Sequence, residues 1–329
     1  MVSYILRRLL GMGVTLIAVT IITFIIIQLP PGDVVTAEVT RMEAQTGQKM
    51  PPEIIEGLRA RYGLGEPVPI QFWKWVSGFP RGDFGLTNAY QGTVAEIIKL
   101  RLGYTLLLVI LTLIISWGLA IPFGIYAATH KNSIADYILS AISFIGISTP
   151  DFLLGLIYLA FLVFVLKSSY AGGFFSQKYA TEPWSLGRVV DMGKHLAIPL
   201  VILGLGGMAG TYRIMRANLL DVLDQQFVET ARAKGLRESV VIYKHATRIA
   251  INPLISRFGM SLPVLISGAV IISVVLDFPT LGPALQRSLL QQDMYLAGTI
   301  LLMMTVILLI GNLLADILLA WSDPRIRYE

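Results

Sequence analysis

The sequence predicts an all-α membrane protein that crosses the bilayer six times. Of its 329 residues, 55% are apolar and only 14% are charged, whereas soluble domains carry about 25% charged residues. The apolar residues gather in runs of about twenty or more, the length that an α-helix needs to span a hydrocarbon core about 30 Å thick. Together these features exclude a soluble enzyme, a disordered chain and a nucleic-acid-binding protein, although the net charge is +5.

Six apolar stretches are long enough to be membrane spans. The second contains Pro122, and the third is interrupted near Ser148 to Asp151. A proline in a span frees backbone groups that must be satisfied inside the protein or by a water-filled path. The six stretches are residues 9–29, 104–128, 137–166, 196–212, 254–276 and 295–321.

The distribution of Lys and Arg predicts that both termini are cytoplasmic. With that orientation, 13 basic residues fall on the cytoplasmic side, against five in the two short external loops around 167–194 and at Arg287; short cytoplasmic loops normally carry this excess. The first stretch comes after two basic residues, Arg7 and Arg8, as the apolar region of a signal peptide would. Because it is longer than the usual apolar region of a signal peptide, we expect a retained span. The 13 are Arg7, Arg8, Lys131, Arg213, Arg216, Arg232, Lys234, Arg237, Lys244, Arg248, Arg257, Arg325 and Arg327.

The segment between the first two spans, residues 30–101, is too polar to lie in lipid and predicts a small external cap. A helix is expected to begin at Pro51-Pro52-Glu53 and to carry an apolar stripe. Phe72, Trp73 and Trp75 predict a second short helix anchored at the headgroup level, and Arg81 to Gly85 reads as a turn.

No chemical motif in the sequence has both the residues and the setting that its chemistry needs. The chain has no cysteine, and its three histidines are far apart in sequence, so no metal-ligand spacing is present. Gly204-x-Gly206-x-x-Ala209 resembles a dinucleotide fingerprint but lies inside an apolar span, where close helix packing through Gly206-x-x-x-Gly210 explains it better. The segment 187–194 departs from the phosphate-binding loop, so we expect no ATP site in this chain.

The cytoplasmic loop 217–253 is the most informative segment. It predicts two short helical segments separated by Gly235, a residue that readily takes the left-handed conformation ending a helix. Ala231 and Gly235 lie four residues apart, which predicts a strip without large side chains where another helix can approach. Arg213 and Arg216, at the inner end of the fourth span, are expected to extend toward the headgroups.

At this loop the sequence resembles ATP-binding-cassette (ABC) importer permeases of the dipeptide/oligopeptide/nickel branch. The Glu229-Thr230-Ala231-x-x-x-Gly235 pattern is similar to their EAA coupling motif, and further landmarks follow in order along nearly the whole chain. These landmarks are Pro31-Gly32-Asp33, Tyr62-Gly63-Leu64 with Pro67 and Gln71, Arg81-Gly82-Asp83-x-Gly85, His245-Ala246-x-Arg248, Asn252-Pro253, Asn312-Leu313-x-x-Asp316, and the tail Asp323-Pro324-Arg325-Ile326-Arg327-Tyr328.

The resemblance implies a type I ABC importer permease fold in a bacterial or archaeal cytoplasmic membrane, with three parts: residues 1–29, an external loop at 30–101, and a core at 102–329. It also implies a second homologous permease, two ABC ATPase subunits and an extracytoplasmic binding protein as partners, with ATP and magnesium bound by the ATPases, and no nucleic-acid partner. The implied cargo is a short peptide, with nickel complexes, opines and oligosaccharides as alternatives. The residues expected to couple to an ATPase are Glu229, Thr230, Ala231, Arg232, Lys234, Gly235 and Leu236.

Two further functions and one further set of residues remain open at this stage. An ion-coupled secondary transporter would need an internal repeat and a membrane hydrolase would need a catalytic constellation; neither is found. Polar residues inside spans are functional candidates, as is the proline at the interruption of the third span; they line the pathway or serve packing. These candidates are Ser148, Pro150, Asp151, Asn312 and Asp316.

Overall fold

A computed structural model of the chain describes residues 2–29, 32–62, 64–90, 92–167 and 172–322. Within these ranges, five helices are long and apolar enough to cross a membrane, and one helix pair, bent by 94° at Ser148–Asp151, gives a sixth crossing if it counts as one span. The expected interruption of the third span is therefore confirmed. The landmarks Pro31, Gly63 and the tail from Asp323 lie outside the described residues.

Two of the spans, Val94–Thr129 and Leu186–Leu223, are much longer than their apolar stretches at 104–128 and 196–212 indicate. The membrane-crossing helices are α1 (Val2–Gln28), α5 (Val94–Thr129), the pair α6 (Ile134–Ser148) and α7 (Asp151–Ala160), α8 (Leu186–Leu223), α12 (Asn252–Val275) and α14 (Met294–Ser322). Helical hydrogen bonds are satisfied within the segment in water as well as in lipid, so apolarity marks only the part of each helix that suits hydrocarbon.

The shorter elements fill the connections. The external segment contains α2 (Val34–Thr46), α3 (Pro52–Tyr62), α4 (Val68–Gly78) and a two-stranded antiparallel hairpin, β1 (Leu86–Thr87) with β2 (Gly92–Thr93), in which Leu86 pairs with Thr93 and Thr87 with Gly92. The later connections contain α9 (Gln226–Ala233), α10 (Glu238–Val240), α11 (Thr247–Ala250) and α13 (Leu281–Leu290), with π-helical turns at Phe161–Val165 and Val241–Ala246. The start of α3 at Pro52 confirms the expected helix start.

The chain divides into two compact units. The first comprises Met1–Thr105 and Pro279–Leu309 and holds the external segment. Its aromatic cluster is built on Trp75, which stacks on Phe24 at a centroid distance of 5.9 Å and meets Phe79 edge-on at 5.0 Å. Trp75 is buried, so the expectation that its ring anchors α4 among the headgroups is wrong: the ring fills this core. Of the three aromatic residues expected as anchors, only Trp73 is exposed.

Asp293 fixes the β-hairpin of the first unit. One carboxylate oxygen accepts from the hydroxyl of Thr87 at 2.6 Å and from the backbone N–H of Asn88 and Ala89 at 2.8 and 3.1 Å. Its other oxygen accepts from the N–H of Leu296 in the first turn of α14, at 3.1 Å. The side chain is 2% exposed, and four donors compensate the buried charge.

The second unit comprises Leu106–Phe278 and Ile310–Glu329, and its helices approach one another at glycines. A Cβ atom at Gly204 would lie 2.8 Å from Ile115, and one at Gly146 would lie 2.9 Å from the carbonyl oxygen of Leu205. Small residues allow such close approach in membrane helices. At Gly210 a Cβ would meet nothing within 4 Å, so the packing expected through Gly206-x-x-x-Gly210 is wrong at its second glycine.

Candidate functional site

The loop after α8 folds into a helical hairpin, which we call the cytoplasmic hairpin and define as residues 226–250. Gly235 follows α9 with φ of 72°, donates its N–H to Arg232 O at 2.9 Å, and is followed by Leu236 N–H to Ala231 O at 3.4 Å. These two bonds form the Schellman motif that ends helices with a left-handed residue. The prediction that Gly235 separates two helical segments is confirmed.

A side-chain ion pair closes the turn of the hairpin. Arg232 Nη2 donates to Glu238 Oε1 at 2.8 Å, and Nε approaches both carboxylate oxygens, at 3.3 and 3.2 Å. The hydrogen bond from Arg232 lowers the pKa of Glu238, and the same bond raises the pKa of Arg232. Both side chains are exposed, so the pair orients the two arms more than it stabilises them.

The inner face of the hairpin packs on the second unit. Val228 and Ala231 of α9 are buried with Met215 and Leu219 of α8 and with Val241 of the following turn. The spacing of Ala231 and Gly235 predicts a strip that is open to another protein. Because Ala231 is buried, it is not part of such a strip. Its small side chain lets α9 lie close to the chain's own core, while Gly235 stands in open space.

The outer face carries the remaining candidate coupling residues. Glu229, Thr230, Arg232, Lys234, Gly235 and Leu236 are all exposed. Leu236 is 41% exposed, and Tyr243, which is not among the predicted coupling residues, is 66% exposed. The hairpin thus presents a surface of mixed charge that includes the exposed side chains of Leu236, Tyr243 and Ile249.

An ion pair at the base of the hairpin was not anticipated from the sequence. Arg216 of α8 binds Asp136 of α6 in a bidentate manner, with both N···O distances at 2.7 Å, and Asp136 also accepts from the N–H of Asn132 at 3.1 Å. Asp136 is 2% exposed. Arg216 is therefore held by a buried carboxylate, and Arg213 stacks over the ring of Phe144 at 5.1 Å. Their expected extension toward the headgroups stays a prediction.

The sequence carries one signal for this pair. Ser133 precedes α6 and accepts from the N–H of Asp136 at 3.2 Å, the spacing of a capping box. That pattern places an acid in the first turn of the helix, but it does not name the arginine 80 residues later that binds it.

The three candidates in the third span sit at its break. Ser148 donates its hydroxyl to its own helix, to Phe144 O at 2.7 Å, as serine side chains within helices often do. Pro150 precedes α7 and accepts from the N–H of Leu153 at 3.0 Å. Asp151, the first residue of α7, is half-buried.

Asn312 and Asp316 lie one turn apart on α14. A Cβ at Gly259 of α12 would lie 3.1 Å from Asn312 Oδ1, so the carboxamide of Asn312 sits where α12 offers no side chain. This contact agrees with a packing role for Asn312. Asp316 is half-buried, and its assignment to pathway or packing stays a prediction.

Two family models match the chain. "Binding-protein-dependent transport system inner membrane component" matches residues 120–328, which include the cytoplasmic hairpin, and the N-terminal model of the same transport-system membrane components matches residues 1–89. Across the described part of the chain, no three His, Asp or Glu side chains are grouped as metal ligands would be.

Curated relatives match over the full length. The oligopeptide transport system permease protein AppB of Bacillus subtilis (strain 168) is 37% identical over 329 residues, covering 100% of both chains. The glutathione transport system permease protein GsiC of Escherichia coli (strain K12) is 31% identical over 330 residues, again covering 100% of both. These matches favour the importer permease over an ion-coupled secondary transporter.

A solved structure supports the predicted fold. A chain of the MetNI methionine ABC transporter, in an inward-facing conformation, superimposes with a TM-score of 0.52 at 16% identity, covering 69% of this chain and 98% of its own. That likeness concerns the fold alone. Taken with the two family matches and the full-length relatives, the hairpin and spans show that this chain belongs to the binding-protein-dependent inner membrane components, the multi-pass permease subunits of ABC importers.

Proposed function

We propose that this chain forms half of the translocation pathway for short peptides, in an importer completed by a second homologous permease, two ABC ATPase subunits and an extracytoplasmic binding protein. ATP and magnesium are bound by the ATPases, and this chain contributes no catalytic residue. The peptide cargo is supported by the relative named for oligopeptide transport, and the glutathione permease carries a peptide-like substrate in its name.

The observation that carries the proposal is the shape of the cytoplasmic hairpin. Its turn is fixed by the Gly235 Schellman motif, and its inner face is fixed by the buried Val228 and Ala231. The outer face, with Leu236 and Tyr243 exposed, matches what a protein interface needs: apolar side chains surrounded by charges. We infer that this face docks on an ATPase subunit, so that nucleotide-driven movement of the ATPase shifts the spans as rigid bodies.

Substitution of Gly235 tests the docking. A Gly235→Trp side chain would project into open space beside the turn, so we expect normal membrane insertion but loss of ATP-dependent uptake of trialanine in reconstituted vesicles. Gly235→Asn is the matched control, because asparagine tolerates a positive φ and is small; it should retain most uptake. Normal uptake by the tryptophan variant would contradict the coupling role.

A charge reversal tests the same face separately. Glu229→Lys changes an exposed side chain without disturbing the core, and we expect it to abolish uptake while leaving the amount of inserted protein unchanged. Glu53→Lys makes the same charge change on exposed α3, in the external segment, and should leave uptake near the level of the unmodified protein. Equal losses in both variants would show a general charge effect and would count against docking through Glu229.

A further inference from the structure

The half-buried carboxylate of Asp151 lies at the break of the third span, where the helix pair bends by 94°. Ionisable side chains within membrane-spanning segments are costly and usually face the interior of the bundle or a water-filled cavity. Within the described residues, we find no hydrogen-bond donor or cation bound to this carboxylate. Asp136, by contrast, is bound by an arginine and a backbone N–H.

Two other spans leave space for the Asp151 carboxylate. A Cβ atom at Gly206 of α8 would lie 2.7 Å from Oδ1, and one at Gly268 of α12 would lie 2.9 Å from Oδ2. Neither distance is compatible with a carbon atom at van der Waals contact. Any larger residue at either position would therefore displace the carboxylate, and each of its oxygens faces a helix that offers no side chain.

A role in stabilising α7 does not explain this arrangement. A carboxylate in the first turn of a helix interacts favourably with the helix dipole, but that effect needs no glycine on a neighbouring helix. Nor does the carboxylate bond a backbone N–H of α7 in the way that a capping side chain does. What remains unexplained is a carboxyl group held between two spans with capacity to accept hydrogen bonds.

We propose that the Asp151 carboxylate, held between Gly206 and Gly268, binds a primary ammonium group of the cargo as it passes through the permease. This inference rests on the proposed function, because peptides carry such a group at the N-terminus and on lysine side chains. An ammonium group supplies three donors and a full positive charge, and charge-assisted hydrogen bonds to a carboxylate are among the strongest in proteins. Asp151 would thereby favour cargo with a free amine.

The test measures binding to the assembled importer in lipid nanodiscs, without the binding protein, so that it does not depend on transport. The probes are trialanine, N-acetyl-trialanine and N-acetyl-alanyl-lysine, titrated calorimetrically. With the unmodified protein we expect trialanine to bind about tenfold more tightly than its acetylated form, the size of one charge-assisted contact. The lysine probe distinguishes the two ammonium sources: tight binding assigns the site to any primary ammonium, and weak binding restricts it to the N-terminus.

Three variants separate a binding role from a structural one. Asp151→Asn keeps the size and removes the charge, and should abolish the preference for trialanine. Gly206→Ala keeps the charge but displaces the carboxylate, and should reduce the preference several-fold. Glu96→Gln, which removes an exposed acid from the first turn of α5, is the matched control and should leave the preference unchanged.

ATP hydrolysis stimulated by the loaded binding protein shows that each variant is folded and coupled, since this readout responds to the hairpin and not to an ammonium contact. The inference is overturned if the unmodified protein binds trialanine no better than N-acetyl-trialanine, or if Asp151→Asn retains the preference. Failure of the proposed function looks different: ATP-dependent uptake would be absent in the unmodified importer, whatever the titrations show.

Discussion

The external segment is held in shape by a buried contact between residues far apart in sequence, whereas the cytoplasmic hairpin is held by an exposed contact between near neighbours. In the external segment, Asp293 binds Thr87 across 206 positions of sequence and is 2% exposed. In the hairpin, Arg232 binds Glu238 across six positions, and both side chains are exposed. The external β-hairpin therefore depends on a distant loop, whereas the turn of the cytoplasmic hairpin is determined by its own residues.

This difference suits what each region is proposed to do. A segment that meets a separate protein gains from being pre-ordered, because less conformational entropy is then lost on docking. The hairpin has this property through Gly235 and the nearby ion pair. Removing one partner of a buried hydrogen-bonded group such as Asp293 costs more stability than removing one partner of an exposed pair, since the remaining buried groups stay unsatisfied.

The largest expected effect lies at the base of the hairpin, where Arg216 and Asp136 form a buried tie across 80 positions. Arg216→Met should leave Asp136 buried and unpaired, and we expect a loss of about 3–5 kcal/mol in the free energy of unfolding, measured by denaturant titration in detergent. The double variant with Asp136→Leu should recover most of the loss. If the single and double variants are equally unstable, the pair acts through something other than its charges.

Asp293→Ala should have the next largest effect. Four donors lose their acceptor, three of them backbone N–H groups of Asn88, Ala89 and Leu296, and we expect a loss of about 3 kcal/mol with faster proteolysis of the external β-hairpin. Thr87→Val removes only one of the donors and should cost about 1 kcal/mol. An unchanged cleavage rate in Asp293→Ala would show that the hairpin does not need this tie.

The smallest effect is expected for Glu238→Gln, which weakens the exposed pair with Arg232 by about 0.5 kcal/mol. Because the Arg232 hydrogen bond lowers the pKa of Glu238 below its ordinary 4.5, the pair stabilises the hairpin above that pH and loses its effect as the pH falls through the lowered value. Hydrogen exchange at Gly235 should therefore quicken below about pH 4.5 in the unmodified protein, after correction for intrinsic exchange, and show no such step in the variant. A step of equal size in both would exclude Glu238 as its source.

Features that depend on neighbours in sequence were predictable. Apolar length located the spans, Pro150 located the break, and Gly235 located the turn, because each residue type restricts its own backbone. Features that depend on distant partners were not. Neither the burial of Trp75 nor the tie of Asp136 to Arg216 could be inferred, because amphipathic spacing indicates a face but not what covers it.

In the cytoplasmic hairpin, sequence spacing also fails to predict which small residues are buried. Ala231 and Gly235 are both small, and their spacing indicates a common face, yet the structure buries Ala231 and leaves Gly235 exposed. Helix α9 ends between them, so that the helical periodicity that would align them stops at Lys234. Residues four apart share a face only while the helix continues through both of them.

The length of α8 determines how far a small tilt of this helix would displace the cytoplasmic hairpin at its end. From Pro199, buried within the helix, to its end at Leu223, the helix runs about 36 Å at 1.5 Å per residue. Only Asp224 and Gln225 separate that end from α9. A swing of about 5° about Pro199 would carry the tip sideways by about 3 Å over that length, a step comparable to the helix shifts that switch other proteins between states.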